Sequence, residues 1–132
     1  MNNSLFALLL VAACQPSTDA THRLPADLTI VNPVWTRSDP QHIYDEIEVS
    51  EHDFTIRNAS DTFTYNRIIV RLSYFDKQHR LLHEQLSKIT HPVRPHGAYR
   101  VKGLSGGNVK PGTESARVEL VEATRERQPV SD

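Results

Sequence analysis

Between residues 68 and 75 the chain reads Ile68-Ile69-Val70-Arg71-Leu72-Ser73-Tyr74-Phe75. The period is two. Ile68, Val70, Leu72 and Tyr74 fall on one face of an extended segment, and Ile69, Arg71, Ser73 and Phe75 on the other. β-Branched and aromatic residues pack well on a pleated surface, so this is a strand. Apolar groups on both faces place it in the middle of a sheet. Ala116, Val118 and Leu120 alternate with Arg117 and Glu119, and Tyr99 and Val101 with Arg100 and Lys102, giving two further strands.

Upstream the pattern is less regular. Residues 28–31 predict a first strand ended by Asn32-Pro33, and residues 36–46, with Pro40, predict a loop. Ile47 and Val49 share one parity while Phe54 and Ile56 share the other, so a single regular strand cannot bury both pairs on one face. A bulge, bend or break within residues 50–53 would reconcile them. Turn signals fall at Asn58-Ala59-Ser60-Asp61, at Asp76-Lys77-Gln78-His79, over residues 92–97, and over residues 105–112 with Gly106-Gly107 and Pro111-Gly112. Short strands at this spacing predict an all-β antiparallel sandwich or barrel of about six or seven strands over residues 28–124. Residues 77–89 read two ways. Leu82, Leu86 and Ile89 fit a helix that Asp76 would cap, whereas the strand reading puts Leu82, Glu84 and Leu86 on one face.

The ends differ from this middle. Residues 5–13 are uninterruptedly apolar and are followed by Cys14 and the polar run Gln15-Pro16-Ser17-Thr18-Asp19. The run is too short for a bilayer span, which needs about 20 residues. It suits the hydrophobic region of a signal peptide over residues 1–13. Val11-Ala12-Ala13-Cys14 resembles the lipobox of bacterial lipoproteins. The resemblance implies lipid on the Cys14 thiol, cleavage before Cys14, and acylation of the new amino terminus. Gln15 after the cysteine is similar to an outer-membrane address, facing the periplasm. Met1 to Ser4 carry no Lys or Arg. The alternative is a buried apolar strand or helix with a core cysteine. Residues 14–27 then form a polar, Pro-containing tether and residues 125–132 a fraying tail. Cys14 is the single cysteine, so a mature chain would have no disulfide and no cysteine metal site.

Residues 54–121 resemble an FxLYD-type immunoglobulin-like domain, a module of envelope lipoproteins. Leu72-Ser73-Tyr74-Phe75-Asp76 stands at the motif, with Asp76 identical. Ile56-Arg57-Asn58-Ala59-Ser60 is similar to the family's strand ending in Asn-x-Ser, and residues 93–99 to its Pro-Gly turn before a strand. The resemblance implies an immunoglobulin-like sandwich, a strand rather than a helix over residues 77–89, and no shared chemistry. Asn58 and Asp76 would close turns through side-chain hydrogen bonds to nearby backbone.

Candidate chemistry is sparse. The formal net charge is −1 with no Lys/Arg block, which argues against nucleic acid as a partner. His79 and His83 could share a metal ion on a helix, but lie roughly 13 Å apart on a strand. No third ligand has suggestive spacing, so no metal and no cofactor are expected. Asp45, Glu46, Glu48, Glu51 and Asp53 read as a solvated strand edge, lacking the spacing of a Ca²⁺ loop. Ser105-Gly106-Gly107-Asn108 reads as a flexible hairpin or long loop. Asn58-Ala59-Ser60 reads as a turn. Trp35, the single tryptophan, reads as a core plug; exposed, it would contact a partner. The function expected is a non-enzymatic envelope lipoprotein that binds another envelope protein or assists assembly. The alternatives are a metal or small-ligand carrier using surface histidines, and a self-associating structural module.

Overall fold

The computed structural model describes residues 25–38 and 48–127, which form six strands and no helix. Their order is β1 (Leu28–Ser38), β2 (Val49–Asn58), β3 (Phe63–Phe75), β4 (Leu81–Ile89), β5 (Ala98–Asn108) and β6 (Ser115–Arg127). They make two antiparallel three-stranded sheets, β1-β2-β5 and β4-β3-β6. Of the antiparallel sandwich and barrel that the strand pattern allows, the chain forms the all-β sandwich. The strand over residues 77–89 is β4, and β3 is central in its sheet as its two apolar faces require. The Cys14 and signal-peptide expectations lie outside the described residues.

The core runs between the two central strands. β2 supplies Phe54 and Ile56, β3 supplies Tyr65, Ile68, Val70, Leu72 and Tyr74, and Leu28, Ile89, Val93 and Val101 complete it. Fully burying side chains of this size contributes about 1.5–3 kcal/mol each before entropy is counted. One end is locked by Asn58. Its Nδ2 donates to the carbonyls of Phe63 (2.8 Å) and Val93 (3.0 Å), and its Oδ1 accepts from the Ser60 amide (2.9 Å). The β3–β4 hairpin is closed by Asp76, whose carboxylate accepts from the amides of Gln78 and Arg80 and from Arg80 Nε. Those bonds, the Arg80 amide first, hold the Asp76 carboxyl below its ordinary range.

Several boundaries differ from the sequence reading. β1 does not stop at Asn32-Pro33. Asn32 takes a positive φ (53°), an extra residue bulges out of the pairing between Val31 and Val34, and the strand continues to Ser38. A proline is tolerated at such a bulge because no ladder bond is required there. The folded part begins before Leu28, since the Asp27 carbonyl accepts from the Ala59 amide and the Asp27 carboxylate from Tyr65 Oη at 2.7 Å. Residues 125–127 pair with Tyr65, Thr64 and Phe63 as the end of β6 rather than fraying.

The parity conflict over residues 47–56 has a different resolution. β2 alternates without a break, burying Ser50, His52, Phe54, Ile56 and Asn58, so three polar residues take inward positions and Val49 faces away. The irregularities lie opposite, in β5. One extra β5 residue falls between the pairs Ser50↔Gly107 and Glu51↔Ser105, and another between His52↔Leu104 and Phe54↔Val101. Ser105-Gly106-Gly107-Asn108 is therefore the bulged end of β5, not a loop.

Candidate functional site

Trp35, Ser50, His52 and Tyr74 meet at the end of the sandwich remote from Asn58. Trp35 is half-buried against the core, and Arg37 lies over its ring at 4.9 Å. Arg37 is held by the Thr113 carbonyl and, at 3.6 Å, by Glu48. The Trp35 indole N–H donates to Ser50 Oγ at 3.1 Å, and His52 Nε2 lies 2.7 Å from Tyr74 Oη. An indole only donates, so Ser50 Oγ accepts this bond and its own proton is left to act on the neighbouring Tyr74 hydroxyl, where it opposes the effect of burial. The Tyr74 proton is then directed to His52 Nε2. This assignment requires a neutral imidazole, and burial does lower the His52 pKa from its ordinary 6.5. Burial raises that of Tyr74.

This relay positions and satisfies buried polar groups. Ser50 and His52 are almost fully enclosed, at 1% exposure each. Ser50 is bonded to Trp35 and acts on Tyr74, and His52 is bonded to Tyr74. Gly106 belongs to the same arrangement, because a Cβ there would fall 1.7 Å from Tyr74 Oη. A pocket of about 130 Å³ opens beside Trp35 between β1 and β6, with Val34, His52 and Ala116 in its wall.

The histidine pair does not converge. His79 sits in the β3–β4 turn at φ 60°, and the His83 ring stacks on Tyr74 with centroids 6.2 Å apart. Among the described residues no group of three or more His, Cys, Asp or Glu is placed to hold a metal ion. The acidic residues are not a sheet edge, because β2 is the central strand of its sheet. Glu48 pairs with Arg37, and Asp53 accepts from the Gly103 amide at 2.7 Å; Asp45 and Glu46 lie outside the described residues.

The feature that the sequence reading passed over is β4. His83, Gln85 and Ser87 are half-buried on its inner side, while Leu82, Glu84, Leu86 and Lys88 face out. Leu81, Leu82 and Leu86 are 52%, 40% and 62% exposed. β4 is a sheet edge, and its pairing with β3 is regular from Ile89 to His83, the single shift coming where Leu82 is extra. β4 also carries charge, at Glu84 and Lys88, but the other edge strands are interrupted by bulges within their length, which deters pairing. β1 has Pro33 and its bulge, β5 has two bulges, and β6 has a bulge at Val121 and the charges Arg117, Glu119, Arg125, Glu126 and Arg127. The signal available in the sequence was the strand reading itself, which already set Leu82 and Leu86 on one face with Glu84.

No protein-family model matches the chain, and no curated protein is significantly similar to it. An X-ray structure of the Northeast Structural Genomics Consortium target SoR45 is similar over 79% of this chain and 89% of that chain, with 15% identity and a TM-score of 0.44.

Proposed function

We propose that the chain is a lipid-anchored envelope lipoprotein, tethered through Cys14 to the outer membrane and facing the periplasm. It acts without catalysis, as a binding or assembly module that takes up an extended protein segment at the β4 edge. The observation that carries this reading is an edge strand that pairs regularly from His83 to Ile89 and exposes Leu86, with Leu81 and Leu82 exposed beside it. A regular exposed edge offers main-chain hydrogen bonds for affinity and alternating side chains for specificity, the route of strand addition. The lipobox resemblance of Val11-Ala12-Ala13-Cys14 and the FxLYD-like pattern of residues 54–121 support the envelope setting.

Two measurements test it in bacterial cells. Intact mass after membrane extraction should show loss of residues 1–13 and added acyl mass, both absent in Cys14→Ser. A photo-crosslinking amino acid at position 86 should yield a protein adduct, whereas one at position 34, also exposed but on β1, should not. An uncut, soluble parent chain removes the tether, and equal adducts at 34 and 86 remove the β4 site.

A further inference from the structure

The bulge-free part of β4 spans residues 83–89, and its midpoint is Leu86. We propose that the occupant of this edge is a second copy of the chain, docked antiparallel on a two-fold axis through Leu86. The proposal rests on the reading of β4 as a docking edge and names what fills it.

Register decides the matter. A two-fold axis perpendicular to the sheet sets residues of the same face opposite each other, with one residue opposite itself. An axis at Glu84 opposes two carboxylates, and an axis at Lys88 opposes two ammonium groups. At Gln85 the axis sets Glu84 against Leu86 and Leu82 against Lys88. At Ser87 it sets Leu86 against Lys88 and Glu84 against Thr90. The axis at Leu86 sets Glu84 against Lys88 twice and Leu86 against itself, so charge and apolar surface are matched together. On the inner side it sets Gln85 against Ser87 twice, both of which hydrogen-bond. Arg71, 3.9 Å from Glu84, steadies that carboxylate on the outer face.

The same register explains why association would stop at two. An isologous contact uses β4 of both copies, and the edges left free among the described strands are interrupted by bulges within their length. An edge-to-edge contact is small, in the class of weak interfaces. A shared membrane tether would raise the effective concentration of one copy near another.

The test uses the full chain in its membrane with single cysteines added by substitution. Opposed residues in an antiparallel pair have Cα atoms about 4.5–5.5 Å apart, within disulfide reach. Residues 88 and 88 of the two copies would be roughly 13 Å apart, beyond it. Mild oxidation should therefore link Leu86→Cys into dimers and leave Lys88→Cys and the unsubstituted chain monomeric on a non-reducing gel. Glu84→Lys and Lys88→Glu, each alone, should abolish most of the linkage at position 86. The combined exchange should restore it, which a mere folding defect would not. Linkage at Lys88→Cys, or no restoration in the exchange, overturns the register. No linkage at position 86 while a photo-crosslinker there captures a different protein overturns the second copy but leaves the docking edge. No adduct of any kind at position 86 removes both.

Discussion

The closest packing at the Trp35 end is that of Tyr74 on Gly106, and it makes a quantitative prediction. In Gly106→Ala the new methyl would lie 1.7 Å from Tyr74 Oη, with Tyr74 Cζ at 2.9 Å and Ser50 Cβ at 3.0 Å. Tyr74 is 3% exposed and sits against Trp35, His52 and His83, so it has no free direction of retreat. Overpacking of this kind costs about 1–3 kcal/mol. Tyr74→Phe removes the hydroxyl and leaves His52 and Ser50 short of a buried partner, costing about 1–3 kcal/mol by a different mechanism. In the double variant the 1.7 Å contact no longer exists, and only shifts of a few tenths of an ångström remain. The double variant should therefore be more stable than the sum of the singles implies, by about 1 kcal/mol or more. Urea unfolding followed by circular dichroism measures all four corners of the cycle, and each kcal/mol should also move Tm by about 4–8 °C in a domain of this size. Additivity to within about 0.3–0.5 kcal/mol would refute the packing of Tyr74 Oη on Gly106.

Other perturbations follow from the same contacts. Asn58→Ala takes its bonds from the Phe63 carbonyl and the Ser60 amide, while the Val93 carbonyl keeps the Tyr65 amide, and should cost about 1–3 kcal/mol in urea unfolding; Asn58→Asp should be worse at neutral pH, where a carboxylate would face the two carbonyls. His52 has a folded pKa below 6.5, so the unfolded chain binds its proton more readily. Stability should therefore be fully present above about pH 6.5 and decline as pH falls through the folded pKa, and His52→Gln should flatten that decline. Tyr65, pushed up to about 12 by burial and by its bond to Asp27, should show the last phenolate absorbance to appear. Its contribution to stability should be lost as pH rises above 10, the unfolded value. Leu86→Lys, on the exposed face of β4, should leave Tm within the range of ordinary surface changes and abolish the adduct formed by a photo-crosslinking amino acid placed at position 84.

What was legible in the sequence was the part governed by strict alternation. β3 could be read residue by residue, because every second side chain from Ile68 to Tyr74 enters the core. β6 was readable from Ala116 to Leu120 for the same reason, and was lost after Val121, where a bulge resets the parity. β2 left two parities open because Ser50 and His52, which share the parity of Phe54 and Ile56, are polar. Their inward place is explained once Trp35 and Tyr74 are brought to them from β1 and β3. No local pattern announces a relay made of four residues on three strands. Gly106-Gly107 looked like a loop because a glycine pair usually marks one, whereas here Gly106 is small so that Tyr74 Oη fits against it. In β4 the alternation was visible but its sense was reversed, with the leucines outside. The site proposed here lies in that reversal.

Backbone amide exchange over residues 83–89, resolved by residue, tests the open edge most directly. Alternate amides of an edge strand point to its neighbour and to solvent. In the dilute purified chain every second amide in this stretch should exchange rapidly while the others are protected by β3. In the native membrane, with the edge occupied, the rapid set should become slow as well. Equal protection of both sets in the dilute chain, or a rapid set that stays rapid in the membrane, would contradict strand addition at β4.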